Sequence, residues 1–400
     1  MRSIDTAGQP PVRRGSAGRW AAAAVAAVCA IAVVGQSLAA RRDARRFPPP
    51  GRLIDVGGFR IHLQVQGDDR AGPTVVLEAG LGSFSPNWYW VQQALAPHVG
   101  VVSYDRAGLG WSDPSPAPRD AGTMAVELHA ALHAAGIPGP YVLAGHSFGG
   151  LVVRAFADAY GPETSGLVLV DASHPDQWAR WPVPYADRIQ LITLRTMTGA
   201  ARLGLLRLGH PFATVSAGLP DRQVAELDAR FALPLTSATE AAQMRAWERT
   251  TRPALQHAAP LEDLPLAVLG VGVQPMGAET LDALQEELPG LSSNSSRRVI
   301  AAATHESLIS VGENAGRVAN AILAVVDAAD GRRVEATWAE RRVPQGRRRR
   351  RHRRRRCSRR RGLAHRGSRR RLARRVRGAR PTRRRRASPP SRGARGRRAR

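Results

Sequence analysis

Between Thr74 and Ala329 the chain alternates short, continuous apolar runs with longer stretches whose apolar residues recur every three or four positions. Thr74-Val75-Val76-Leu77, Val101-Val102-Ser103-Tyr104, Tyr141-Val142-Leu143-Ala144, Gly166-Leu167-Val168-Leu169-Val170, Leu266 to Val271 and Arg298-Val299-Ile300-Ala301 are runs of strand length. Being apolar at nearly every position, they predict strands covered on both faces. Thr123 to Ala135, with Met124, Val126, Leu128 and Leu132, has helical spacing and is stopped by Gly136 and Pro138. Leu151 to Tyr160, Glu279 to Leu288 and Ala315 to Ala329 follow the same pattern, and Trp88 and Trp90 fall on a further expected helix. Strands alternating with helices at this spacing imply a parallel sheet with right-handed crossovers. Ahead of it, Leu53 to Val56, Gly57-Gly58 and Phe59 to Val65 read as a hairpin.

From Asp176 to about Pro260 the alternation stops and helical patterns take over, as in an inserted lid. Pro220 and Asp221 open one helix, and Ser237-Ala238-Thr239-Glu240 has the form of a capping box for another reaching Thr250. Trp178, Trp181, Tyr185, Met197 and many leucines suit a cover over an apolar substrate; each of them singly suits packing of the lid on the sheet equally well.

The ends differ from this middle. Trp20 to Ala40 is interrupted only by Gly35, Gln36 and Ser37 and is long enough, as a helix, to cross a bilayer. Two readings stand: an uncleaved anchor, favoured by the length of the run and the arginines right after it, and a cleavable signal ending at Ser37-Leu38-Ala39. Arginines flank the run on both sides, so they set no orientation. Phe47-Pro48-Pro49-Pro50-Gly51 is expected to be a stiff extended linker.

Charge changes the picture only at the far end. All 60 basic residues are arginine, and 31 of them lie in residues 341–400, which hold no acid. Residues 1–340 carry 29 arginines against 32 acids, so the net charge of +28 belongs to the tail. It says nothing of the folded part's partners, and a nucleic-acid role for that part has no support; the tail itself would bind any polyanion, anionic headgroups included. Cys29 and Cys357 lie outside the expected globular part, and no cysteine and histidine spacing suggests a metal site. The chain thus divides into a basic segment 1–19, an anchor or signal 20–40, a linker 41–51, a core 52–175, a helical lid 176–260, a second core part 261–331 and an Arg-rich tail 332–400 expected to be disordered.

The chemistry centres on Gly145-His146-Ser147-Phe148-Gly149-Gly150, set between a strand pattern and a helix pattern. Glycines on either side of a serine let strand and helix approach closely and push the hydroxyl out at the strand's carboxyl end, which describes a nucleophile elbow. A serine hydroxyl is a weak nucleophile until a base takes its proton, and His305, just after the last strand, would overhang the same sheet edge. The backbone N–H of Phe148, at the start of the following helix, is placed to meet a developing oxyanion. His62, His98, His129 and His146 have structural explanations.

Taken with the loop Asp105-Arg106-Ala107-Gly108-Leu109-Gly110-Trp111-Ser112-Asp113 and the late His305, this order of motifs makes residues from about 52 to 330 resemble the α/β-hydrolase family. Within it, Arg45-Arg46-Phe47-Pro48-Pro49-Pro50-Gly51 and Val170-Asp171-Ala172-Ser173-His174-Pro175-Asp176-Gln177 are similar to bacterial membrane-anchored or exported hydrolases. The resemblance implies an α/β fold with an inserted helical lid, ester or related acyl hydrolysis of a small molecule, no cofactor and no metal. It implies Leu81 N–H as the second oxyanion donor. It leaves the triad's acid open between Asp171, at the end of the strand after the elbow, and Glu279, the first carboxylate after the next strand. Asp171 is the expected one, because its strand end adjoins the active edge. Asp105 and Arg106 are expected to pin the glycine loop. Acyl transfer or perhydrolysis would use the same parts, and a membrane-tethered binding protein of this fold would use none of them.

Overall fold

The computed structural model describes residues 16–67, 71–274 and 277–341. Its apolar runs pair into one eight-stranded sheet: β1 (Arg52–Asp55), β2 (Arg60–Gln66), β3 (Thr74–Glu78), β4 (Val101–Asp105), β5 (Tyr141–His146), β6 (Thr164–Val170), β7 (Leu266–Val271) and β8 (Ser295–Ile300). The order is β1-β2-β4-β3-β5-β6-β7-β8, with β1–β2 and β2–β4 antiparallel and every other pairing parallel. This is the α/β-hydrolase sheet, opened by the expected hairpin.

Helices cover both faces. α1 (Ser16–Arg46) precedes the sheet; α2 (Tyr89–Leu95), α3 (Ala121–Ala134) and α4 (Gly149–Ala159) lie between strands. The lid holds α5 (Gln177–Arg180), α6 (Ala186–Arg202), α7 (Ala213–Ser216), α8 (Asp221–Phe231), α9 (Pro234–Ala246) and α10 (Arg252–Gln256). α11 (Ala278–Glu287), α12 (Ser307–Ser310), α13 (Gly312–Ala328) and α14 (Val334–Glu340) complete the described chain. Val75 and Leu77 face a layer containing Val91, Leu95, Val318, Ile322 and Val325. Val76 faces the other way, toward Leu128, Leu132, Val153 and Phe156. Alternate residues of one strand are thus buried on opposite sides, each aliphatic side chain stabilising the fold by roughly 1.5–3 kcal/mol relative to exposure, which is why the strands read as unbroken apolar runs.

Several boundaries differ from the sequence reading. α3 begins two residues early because Asp120 caps it, accepting from Thr123 N at 3.0 Å. Ser237 is not a cap: α9 starts at Pro234, whose fixed φ and missing N–H suit a first helical position. Ser237 therefore sits inside the helix, where its hydroxyl accepts from Thr198 Oγ1 at 3.1 Å, and a π-helical turn at Trp247–Thr251 follows before α10. Residues 41–46 belong to α1 rather than to a linker. Nor does the segment after them stand off as a spacer, since the Phe47 carbonyl accepts from Trp111 Nε1 at 2.9 Å and Arg230 Nη2 at 3.2 Å.

The folded part also extends past 331. α14 buries Val334 and Trp338 against the layer that contains α13, and Thr337 Oγ1 donates to the Ala324 carbonyl at 2.8 Å. The expected disorder of the tail from 342 on, and the basic segment before 16, lie outside the described residues. α1 is long and apolar enough, over Gly18–Arg46, to cross a membrane.

Candidate active site

At the end of β5 the chain turns sharply. A Cβ on Gly149 would come within 2.4 Å of the Glu78 carbonyl oxygen, and one on Gly145 within 2.6 Å of Gly149 itself, so only glycines let α4 start this close to the sheet. Ser147 at the apex is forced to φ 52°, a left-handed value that costs a non-glycine residue roughly 1–3 kcal/mol. Its N–H donates to the Val170 carbonyl at 3.1 Å and its carbonyl accepts from Ser173 N at 2.9 Å, tying the elbow to the end of β6. There Asp171 is left-handed too, at φ 42°, with its N–H on the Leu269 carbonyl of β7 at 2.7 Å. Strain thus sits at neighbouring strand ends, on the two residues that the reading of the chain had marked.

His305 arrives from the loop after β8 and donates Nδ1–H to Asp171 Oδ2 at 2.6 Å. A carboxylate only accepts, so the proton is on Nδ1 and the lone pair of Nε2 is free to take one. Ser147, Asp171 and His305 line one cavity of about 420 Å³. No hydrogen bond joins Ser147 Oγ to His305 in this structure; such bonds often tighten only when substrate is bound. Glu279, the rival acid, is exposed in the first turn of α11 and is not among the walls of that cavity.

His146, expected to be structural, packs behind His305. Its Nε2–H donates to the His305 carbonyl at 3.0 Å, and the two rings lie 4.5 Å apart. Burial, then the neighbouring charge of His305, keeps its pKa well below the ordinary histidine value, so it stays neutral. Nothing in the sequence distinguishes this contact, which joins positions 159 residues apart.

Burial pushes the His305 pKa down, but the hydrogen bond and charge of Asp171, with help from Glu306, outweigh it and raise the net value above 6.5. As a general base His305 would work only unprotonated, so activity would fall as pH drops through that raised pKa. We expect kcat/KM for an ester to show a single-proton acid limb centred above pH 6.5, read from a pH–rate profile. A limb centred below 6.5 would contradict the charge of Asp171 acting on this ring.

The donors expected for an oxyanion flank the serine. Gly80 lies so near that a Cβ there would be 3.3 Å from Ser147 Cβ, and Leu81 shares a smaller cavity with Ser147 and His305. Neither Leu81 N nor Phe148 N donates to an acceptor among the described residues. Arg106 donates to the Glu78 carboxylate and to the carbonyls of Ala79 and Gly80. Since a trans peptide points its N–H opposite its C=O, holding the Gly80 carbonyl fixes the direction of the Leu81 N–H. Arg106 therefore braces this loop rather than its own. Asp105 pins the glycine loop as expected, accepting from Trp111 N at 2.9 Å, and also bonds His62 Nδ1 at 3.0 Å and Ser85 N at 2.8 Å. Burial opposes its charge, but His62 and the two N–H groups outweigh that and lower its pKa.

The larger cavity is less apolar than the lid's composition suggested. Ser173, Gln274, Gln285 and Thr304 give it a polar wall, and the lid contributes only Gln177 and Trp181. Trp178, Met197, Met244 and Trp247 instead pack on Phe148 and α4. The polar residues come from four separate segments, and no local pattern announced them.

Residues 73–207 match the family model described as alpha/beta hydrolase fold. A curated protein of Hormonema carpetanum named "Probable transporter efuK" is 36% identical over 33% of this chain and 20% of its own length. The chain spans half or less of the curated relatives it matches first. Among solved structures, a thermophilic esterase from Thermogutta terrifontis is 21% identical, with a TM-score of 0.52 over 69% of this chain and 97% of that one. The enol-lactonase from Burkholderia xenovorans LB400 is 20% identical, with a TM-score of 0.54 over 69% and 100%. At such identities the structural likeness is one of fold.

Proposed function

Because the chain has the α/β-hydrolase fold, with residues 73–207 matching that family's model, we propose that it is a serine hydrolase cleaving a small-molecule ester through an acyl-Ser147 intermediate. The observation that carries this reading is the 2.6 Å bond from His305 Nδ1 to Asp171, made at the wall of the cavity that also holds Ser147. Ser147 Oγ attacks the acyl carbon as His305 Nε2 takes its proton. The N–H groups of Leu81 and Phe148 hold the oxyanion. Collapse breaks the bond to the alcohol oxygen, which leaves with the proton from His305. Water, activated by the same Nε2, then attacks the acyl-serine and releases the acid, restoring the hydroxyl. Epoxide and haloalkane chemistry is disfavoured, because the family resemblance implies Asp at the elbow's central position for that chemistry and this chain has Ser147 there.

We also take α1 as an uncleaved anchor. Gln36 is buried against the lid, and cleavage after Ala39 would remove it.

A fluorophosphonate is expected to label the full-length protein once, at Ser147, with loss of p-nitrophenyl ester hydrolysis in step with labelling, followed by peptide mass spectrometry. Labelling at another residue, or hydrolysis that survives full labelling, would sink the proposal.

A further inference from the structure

α1 and the lid are joined by a built contact. Gln36, 6% exposed, donates Nε2–H to the Ala232 carbonyl at 2.9 Å and accepts from Arg207 Nε at 2.6 Å. Arg207 also pairs with Asp43, about two turns further along the same face of α1, and Phe47 is held by Arg230. Both ends of a buried amide and a shared arginine are used, so the last turns of α1 and the lid hold one relative position. The turns before them, from Trp20 to Val34, are almost wholly exposed.

The lid beside this joint shows water a second apolar surface. Leu205 and Leu208, which bracket Arg207, are 49% and 78% exposed. Along α6, with Leu194 and Ala201 buried inward, the outward side carries Ile189 at 56% and Ile192 at 62%, with Tyr185 at 67% just ahead of the helix. Spacings of four and three residues put these three on one stripe. Arg188, Arg195 and Arg202, exposed at seven-residue intervals, run along its edge. Single exposed apolar residues need no explanation, but a stripe next to an apolar helix does.

We propose that this lid surface rests on the bilayer, with Ile189, Ile192, Leu205 and Leu208 at the acyl boundary and the α6 arginines on anionic headgroups. This rests on the anchor reading of α1: a helix that enters the membrane while clamped to the lid brings the lid to the membrane with it. An apolar stripe edged by arginines is the composition of a helix lying in the interface. The segment leading into α6 also supplies Trp181 to the wall of the larger cavity, so the docked surface is continuous in sequence with that wall.

The test uses full-length protein with Cys29→Ser and Cys357→Ser, reconstituted in vesicles of zwitterionic and anionic phospholipid. Single cysteines at Ile192→Cys, Leu208→Cys, Val28→Cys and Glu335→Cys carry a fluorophore, quenched by spin-labelled lipid or by aqueous iodide. Hydrolysis of a soluble p-nitrophenyl ester within about twofold of the parent reports that each variant is folded. Positions 192 and 208 are expected to follow 28, quenched by lipid and shielded from iodide, while 335 does the reverse. If 192 and 208 follow 335 while 28 is in lipid, the docking surface is wrong and the anchor stands. If 28 is aqueous as well, the anchor reading fails and takes this one with it. Shielding of 192 and 208 from both quenchers would mean a protein partner, such as a second copy, and would also overturn the proposal.

Discussion

Ser147→Ala is expected to lower kcat/KM for p-nitrophenyl esters by roughly five to six orders of magnitude, ~7–8 kcal/mol of transition-state stabilisation. In the proposed mechanism the whole covalent route runs through one hydroxyl. Without it, His305 and Asp171 still form their bond but have no proton to receive, and what remains is the contribution of Leu81 N–H, Phe148 N–H and substrate binding. The fold should be unchanged, because alanine meets the same left-handed backbone at φ 52° as serine does and the N–H and C=O bonds to Val170 and Ser173 stay in place. The measurement is steady-state hydrolysis beside a thermal melt. A variant that melts like the parent and keeps more than about a hundredth of its activity would show that another group is the nucleophile.

Asp171→Asn is the second large effect, expected to cost about ten-thousandfold in kcat. Asparagine is the gentlest change available at this position: it tolerates left-handed backbone better than other side chains, so φ 42° is kept. It differs in what it offers His305. An amide N–H facing Nδ1 drives the imidazole proton to Nε2, where a base able to take the serine proton is needed. Glu279→Gln is the matched control, since that side chain is exposed outside the larger cavity, and it should leave turnover within about twofold. Full activity in Asp171→Asn together with loss in Glu279→Gln would reverse the assignment of the acid.

How legible each part was follows from the distance over which its cause acts. The strands could be read because Val75, Val76 and Leu77 are each buried on one face or the other, leaving no polar position in the run. The elbow could be read because close approach of β5 and α4 demands glycine at both 145 and 149. The capping box at Ser237 misled because its spacing is local, while Pro234, three residues earlier, had already started the helix. The end of the folded part was set too early because α14 is held by Val334 and Trp338 reaching a core built from distant segments, and two apolar residues in an Arg-rich neighbourhood make no run.

The chain by itself determined the sheet and the sharp glycine-flanked turn that carries Ser147, since each depends on burial or backbone constraints that act within a few residues and so leave a pattern there. Tertiary structure alone decided the rest. It put Asp171 rather than Glu279 on His305, because β5, β6 and β7 are neighbours in the sheet and a left-handed turn at 171 aims the carboxylate. It set His146 behind His305, fixed the Leu81 N–H through Arg106, and clamped α1 to the lid through Gln36. Each of these is a hydrogen bond between groups far apart in sequence, whose partners are chosen by the packed fold and leave no trace in local spacing.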